Sequence, residues 1–161
     1  MCGDNLIFEC GLVEGIARGE LCLFDYRAER DVANFADLPW RNGRFDPEAL
    51  AGAVETTDRA QQELEAWQQY GKVRTLGFCC SISHATFMAG FFSEQGFRAV
   101  AVHSGRGSSS RRGALEALSA GELDVVFTVD IFNEGIDVPA VDTVLMLRPT
   151  DSPVVLSLIH I

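Results

Sequence analysis

Between residues 73 and 147 the chain alternates short apolar runs with longer helix-forming runs, and glycine or serine marks most of the changes. Val73 to Cys79 reads as a strand. Ser83 to Gln95 reads as a helix, with Ser83 as its N-cap and Gly96 as its stop. Arg98 to His103 is a second strand, and Ser110 to Ala120 a second helix that ends before Gly121. Asp124 to Val129 and Thr143 to Leu147 are the third and fourth strands. Few folds accept this rhythm. Strands joined by helices of this length form βαβ units, so the sheet is parallel and its crossovers right-handed. The expected class is α/β.

Residues 1–70 are less regular. Gly11 to Gly19 reads as a short helix and Leu21 to Tyr26 as a strand. Asp31 to Asp46 reads as an ordered loop, because Leu38, Trp40 and Phe45 are costly to leave in water. Pro47 to Tyr70 reads as one long helix. Asp46 stands before it as a cap, Pro47 opens its first turn, and Leu50, Val54, Ala60, Leu64 and Trp67 recur at roughly helical spacing.

With 161 residues and 47% hydrophobic content, the chain is long enough to bury a core. Its net charge of −10 works against nucleic-acid binding in general. Locally, Arg106, Arg111 and Arg112 cluster beside a Gly/Ser turn, either as a basic stripe or as a solvated surface. Cys2, Cys10, Cys22, Cys79 and Cys80 make an odd count without the paired spacing of a zinc knuckle or redox motif. They read as free thiols in a reducing compartment. No run is long enough to span a bilayer and no signal peptide opens the chain, so a cytoplasmic protein is expected, with no membrane partner. No metal site is expected, and His84 reads as a packing residue.

The stretch from Val125 to Pro139 carries the densest chemistry. An apolar strand stops at Thr128 and Asp130, a polar loop follows, and Gly135-Ile136-Asp137-Val138-Pro139 leads back to the next apolar run. Ligands of open α/β sheets bind at the carboxyl ends of strands. A hydroxyl, two carboxylates and a glycine there suit a phosphate-bearing ligand. The exits of the first two strands have similar character. Ser81 and Ser83 follow the first, and either can offer a hydroxyl or a helix-terminal N–H to an anion, although capping a helix is the simpler use of Ser83. His103, Ser104, Gly105 and Arg106 follow the second, where glycine and N–H donors suit an anion.

These segments resemble motifs of superfamily 2 helicases of the DEAD/DEAH-box type. Thr128 through Pro139 is similar to motif V, and Leu76 through Ala85 to motif IV. Glu9 through Ile16, Trp40 through Phe45 and Asn133 through Asp137 resemble bacterial multidomain helicases with an N-terminal phospholipase-D-like nuclease domain. The resemblance implies a second, RecA-like motor domain with helices on both faces of a parallel sheet. Residues 1–70 would be a linker or extension from the first motor domain, with its long helix near 47–70. Residues 71–155 would be the motor domain, incomplete at its carboxyl end.

Further implications concern the sites. Ser81, Ser83, His103, Gly105, Arg106, Thr128 and Asp130 would meet nucleic acid. Glu134, Gly135 and Asp137 would line an ATP cleft shared with the first motor domain. Motif V commonly has Thr-Asp where this chain has Thr128-Val129-Asp130, and commonly arginine where Glu134 stands. The partners implied are DNA or RNA, with the subgroup favouring DNA, and the cofactors are ATP and Mg2+. The first motor domain would hold those cofactors. The 161 residues contain no Gly-x-x-x-x-Gly-Lys-Ser/Thr loop, no Asp-Glu-x-His/Asp box and no Gln-x-x-Gly-Arg segment. No catalytic residue is therefore expected in this chain, and alone it should neither hydrolyse ATP nor unwind duplexes.

Leu156 to Ile161 breaks the pattern. It reads as the translation of a transposon-end adapter, so a truncated gene is expected; a natural apolar strand is the alternative. Two other functions fit the α/β rhythm. One is a non-enzymatic doubly wound nucleotide- or ligand-binding module, favoured by the acidic charge. The other is half of a sugar-nucleotide transferase, for which no donor-binding signature is present.

Overall fold

The computed structural model describes residues 12–20, 22–28, 30–41, 44–71, 73–129 and 138–148. Helix α1 spans Leu12–Ala17. A two-residue ladder pairs β1 (Trp40–Arg41) with β2 (Arg44–Phe45) antiparallel. Helices α2 (Pro47–Val54) and α3 (Thr57–Tyr70) follow. Then come β3 (Thr75–Phe78), α4 (Ile82–Glu94), β4 (Ala99–Val102), α5 (Arg111–Ser119), β5 (Val125–Thr128) and β6 (Thr143–Met146).

The main sheet has the order β4-β5-β3-β6, and every pairing in it is parallel. The α/β expectation holds, with helices on both faces. Strand β5 is central and wholly buried, as an apolar strand covered on both sides must be. Its side chains alternate between two cores. Val125 and Phe127 join α3 and α4 through Ala60, Leu64, Trp67, Met88 and Phe92. Val126 joins α5 through Ala114 and Leu118, with Leu76 and Val102 beside it. Aromatic rings fill the first core: Trp67 meets Phe97 edge-on at 4.9 Å between centroids, and Phe92 meets Phe127 at 5.0 Å. The Trp67 indole donates to Thr75 Oγ1 at 2.8 Å, so its polar edge is satisfied while buried.

Gly77 makes room for this packing. A Cβ there would lie 2.5 Å from Cδ1 of Phe127 on the neighbouring strand. Gly96 and Gly121 end α4 and α5 with φ of 90° and 73°, the left-handed region that glycine enters without steric cost.

Four sequence expectations change. Pro47 to Tyr70 folds as two helices rather than one long helix. The six-residue step from Val54 to Ala60 turns the apolar stripe by about 240° at ~100° per residue, so one straight helix would not bury both halves. The break falls at Glu55, and Thr56 caps the second helix by accepting from the Arg59 amide at 3.4 Å. Asp46 and Pro47 open α2 as expected, with Asp46 accepting from the Ala49 amide at 3.0 Å.

The cap of α4 is Ser81, not Ser83. Cys79 N–H still pairs with Thr128 O at 2.8 Å, Ser81 is extended, and its Oγ accepts from the His84 amide at 3.0 Å. The described part of Leu21 to Tyr26, residues 22–26, forms no strand, and Leu23 and Tyr26 are exposed. Asp31 to Asp46 contains the β1–β2 ladder. In that segment Phe45 is half-buried while Trp40 remains 56% exposed.

Candidate functional site

Parallel register brings the strand exits to one edge. Phe78 of β3 and Val102 of β4 both stand opposite Thr128 of β5, and Met146 of β6 stands opposite Phe78. The polar exits of β3 and β4 therefore flank the end of β5.

Thr128 occupies the centre of this edge. It is fully buried, and among the described residues its Oγ1 has no hydrogen-bond partner. Leaving a buried hydroxyl unpaired costs on the order of 1–3 kcal/mol. Such a group calls for an explanation, and a ligand at the edge is one.

The exit of β4 folds back on itself. His103 is buried, its N–H donates to Ser108 Oγ at 2.9 Å, and its Nδ1 accepts from the Gly105 amide at 3.1 Å. Ser108 Oγ in turn donates to Ser109 O at 2.9 Å. A Cβ on Gly105 would lie 3.1 Å from His103 Nδ1 and 3.3 Å from Ile82 Cδ1, so the turn rests against the first residue of α4. Arg106 is exposed on this turn. Arg112 pairs with Glu116 at i,i+4 and 2.8 Å, and both side chains are exposed.

At the exit of β3, Ser81 and Ser83 share a hydrogen bond of 2.9 Å between their hydroxyls. Both also point to one carboxylate. Ser83 Oγ donates to Glu55 Oε1 at 2.5 Å, and Ser81 Oγ lies 3.4 Å from the same oxygen. Glu55 follows α2 and precedes the cap of α3. The sequence reading passed over it.

A second polar cluster supports this exit from below. Arg59 is 2% exposed. Its Nε donates to both carboxylate oxygens of Asp31 at 3.0 and 2.9 Å, and Nη2 lies 3.3 Å from Glu63 Oε1. Nη2 also donates to the Leu147 carbonyl at 3.1 Å, and Nη1 lies 3.4 Å from His84 Nε2. Gln62 adds a clasp on the same extension, donating to Arg30 O at 2.6 Å and accepting from Val32 N at 3.2 Å.

His84 is fully buried, and the Cys80 amide donates to its Nδ1 at 3.3 Å. Burial, and then the Arg59 guanidinium, push the ring pKa down to about 4, so it is neutral at physiological pH. Its predicted packing role holds. Burial pushes the Cys80 thiol up to about 11 and that of Cys79 higher, so neither is a reactive thiolate. Arg59 and Asp31 were also missed, because burial of the arginine becomes visible only in the folded chain.

Of the residues expected to meet nucleic acid, Ser81, Ser83, His103, Gly105, Arg106 and Thr128 share this edge. Asp130 lies outside the described residues, as do Glu134, Gly135 and Asp137. Among the described residues, no group of three His, Cys, Asp or Glu side chains is placed to hold a metal. No helix among them is long and apolar enough to cross a membrane.

A family model described as the helicase conserved C-terminal domain matches residues 55–161. IRC3 of Saccharomyces cerevisiae, which carries the name of an ATP-dependent helicase, is 24% identical over 92% of this chain and 22% of its own length. The pre-mRNA-splicing ATP-dependent RNA helicase PRP28 of Cryptococcus neoformans var. neoformans is 34% identical over 64% of this chain and 16% of its own length. The crystal structure of the Pyrococcus furiosus Hef helicase domain aligns with a TM-score of 0.48 and 21% identity, over 71% of this chain and 22% of that one. The chain thus spans about a fifth of the length of the curated relatives it matches.

Proposed function

We propose, since this chain belongs to the helicase conserved C-terminal domain family, that it forms the second motor domain of an ATP-dependent nucleic-acid helicase or translocase. The carboxyl edge of its sheet would hold the sugar-phosphate backbone. Residues 1–70 would serve as the extension from the first motor domain and residues 71–155 as the motor domain itself. The observation that carries this reading is the buried Thr128 hydroxyl, without a partner among the described residues, between two polar strand exits.

Each group has a role its chemistry allows. Thr128 Oγ1 would donate to a phosphate oxygen. The Gly105 turn would let backbone approach closely, and Arg106 would add positive charge beside it. His103 would shape that turn through its Nδ1 rather than touch the strand. Ser81 and Ser83 would supply hydroxyls at the start of α4, and Asp130 would follow Thr128 along the same path. Glu134, Gly135 and Asp137 would line the cleft toward the first motor domain. ATP with Mg2+ would supply the energy of cleft closure; the first domain would hold most of it.

DNA is the proposed substrate, from the resemblance of Glu9 through Ile16 and Trp40 through Phe45 to nuclease-bearing bacterial helicases. PRP28, among the relatives, is named for RNA. Competition between DNA and RNA oligonucleotides of one sequence, at fixed salt, decides between them.

The test is Thr128→Val, which keeps the shape and removes the hydroxyl. Binding of a single-stranded oligonucleotide should weaken roughly ten- to a hundredfold, since a charge-assisted hydrogen bond contributes about 1.5–3 kcal/mol. Unchanged binding in a folded variant would remove Thr128 from the interface. The chain alone should show no ATP turnover, because it carries no phosphate loop; turnover above background in pure chain would refute this.

A further inference from the structure

We infer that Glu55 is a built-in competitor for nucleic-acid phosphate, an anionic side chain seated on the hydroxyl pair of Ser81 and Ser83 that must withdraw before a backbone phosphate takes its place. This inference rests on the proposed interface and names a means of regulating it.

Three observations carry it. One carboxylate oxygen, Glu55 Oε1, receives Ser83 Oγ at 2.5 Å and stands 3.4 Å from Ser81 Oγ, while the two hydroxyls are 2.9 Å apart. A phosphate oxygen would use these same donors, because both anions accept charge-assisted hydrogen bonds from hydroxyls.

The second is the origin of Glu55. It belongs to neither the strand nor the helix that makes this exit. It caps α2, with its own N–H donating to Ala51 O at 2.9 Å, and it directly precedes Thr56, the cap of α3. Helix α3 is in turn clamped by Arg59 to Leu147 and His84. Two helix termini thus hold a carboxylate against the edge, and a swing of α2 or a rotamer change of Glu55 would release it.

The third lies one strand away. Thr128 Oγ1 on the adjacent β5 is buried and has no partner among the described residues. One member of the proposed interface therefore awaits an acceptor while its neighbours already have one. The contrast fits a site whose outer position is filled by the chain's own anion.

The probe is a fluorescently labelled single-stranded DNA oligonucleotide titrated against the full chain at fixed ionic strength. Glu55→Ala removes the competitor and should tighten binding roughly tenfold, the scale expected for one ion-strength contact near a surface. Glu55→Gln keeps a neutral acceptor and should give a smaller gain; it also serves if the alanine variant folds poorly. Two controls separate local competition from lowered net charge. Glu94→Ala removes one carboxylate at the far end of α4 and should change affinity no more than about twofold, because that end lies beyond a Debye length. In a Ser83→Ala background, most of the gain from Glu55→Ala should vanish.

Equal tightening by Glu55→Ala and Glu94→Ala, or no tightening by Glu55→Ala, overturns the competitor while Thr128→Val can still weaken binding and uphold the interface. If Thr128→Val and Ser83→Ala leave the affinity of folded chain unchanged, the interface itself fails and the competitor falls with it.

Discussion

Arg59 on α3 donates to the main-chain carbonyl of Leu147 at the end of β6, 88 residues later in the chain, at 3.1 Å. The same guanidinium forks onto Asp31 and touches His84. One side chain thus ties the extension, α3, the first turn of α4 and the exit of β6 together.

Removing that guanidinium takes the charged donor from the partly buried Asp31 carboxylate, which keeps the Ala33 amide, and from the Leu147 carbonyl, which keeps the Cys80 thiol. Arg59→Met should cost about 3 kcal/mol of stability, because breaking one side of a buried ion pair strands the other. Arg59→Lys should recover less than half, since an ammonium cannot fork to a carboxylate and reach a carbonyl at once. Urea denaturation with an unchanged m-value checks both.

His84 makes stability depend on pH. The ring is neutral and buried in the fold, with pKa lowered to about 4, whereas the unfolded ring titrates near its ordinary 6.5. Between these values the unfolded state binds the proton and the folded state does not. Stability is therefore full above pH 6.5 and falls as pH drops toward 4, by an amount on the order of 3 kcal/mol. The groups facing the ring are Arg59 and, further off, Asp31. Denaturation of His84→Gln over the same range should show a shallower slope.

Gly77→Ala should destabilise by about 1–3 kcal/mol, because the new methyl meets the Phe127 ring across the β3–β5 pairing. Phe127→Leu in the same chain should recover part of the loss. Thermal melts of the single and double variants measure the coupling; strict additivity would contradict the clash.

Gly105→Ala presses a methyl between His103 and Ile82. The turn is exposed at Ser104 and Arg106 and can shift. Stability should change by less than about 1 kcal/mol, while oligonucleotide affinity falls several-fold. Equal affinity in alanine variant and parent would place the turn outside the interface.

Sequence and tertiary structure divided the work along the range of the interactions involved. The α/β class, the parallel sheet, the stops at Gly96 and Gly121 and the positions of Ser81, Gly105 and Thr128 were readable from residues alone. They depend on periodicity and on contacts a few residues apart, which a linear pattern records. The break at Glu55 was also written there, as the out-of-phase step from Val54 to Ala60, but the helical spacing of apolar residues within each half concealed it. Ser81 displaced Ser83 as cap because the last sheet bond, at Cys79, determines where the chain is free to turn. The Arg59–Asp31 and Glu55–Ser83 pairs each join residues 28 positions apart. Nothing local marks such partners, because a carboxylate on a helix end looks like any solvated charge until packing desolvates it and aims a donor at it. Tertiary structure alone decided that this acidic chain sets the Glu55 carboxylate on the hydroxyls of Ser81 and Ser83.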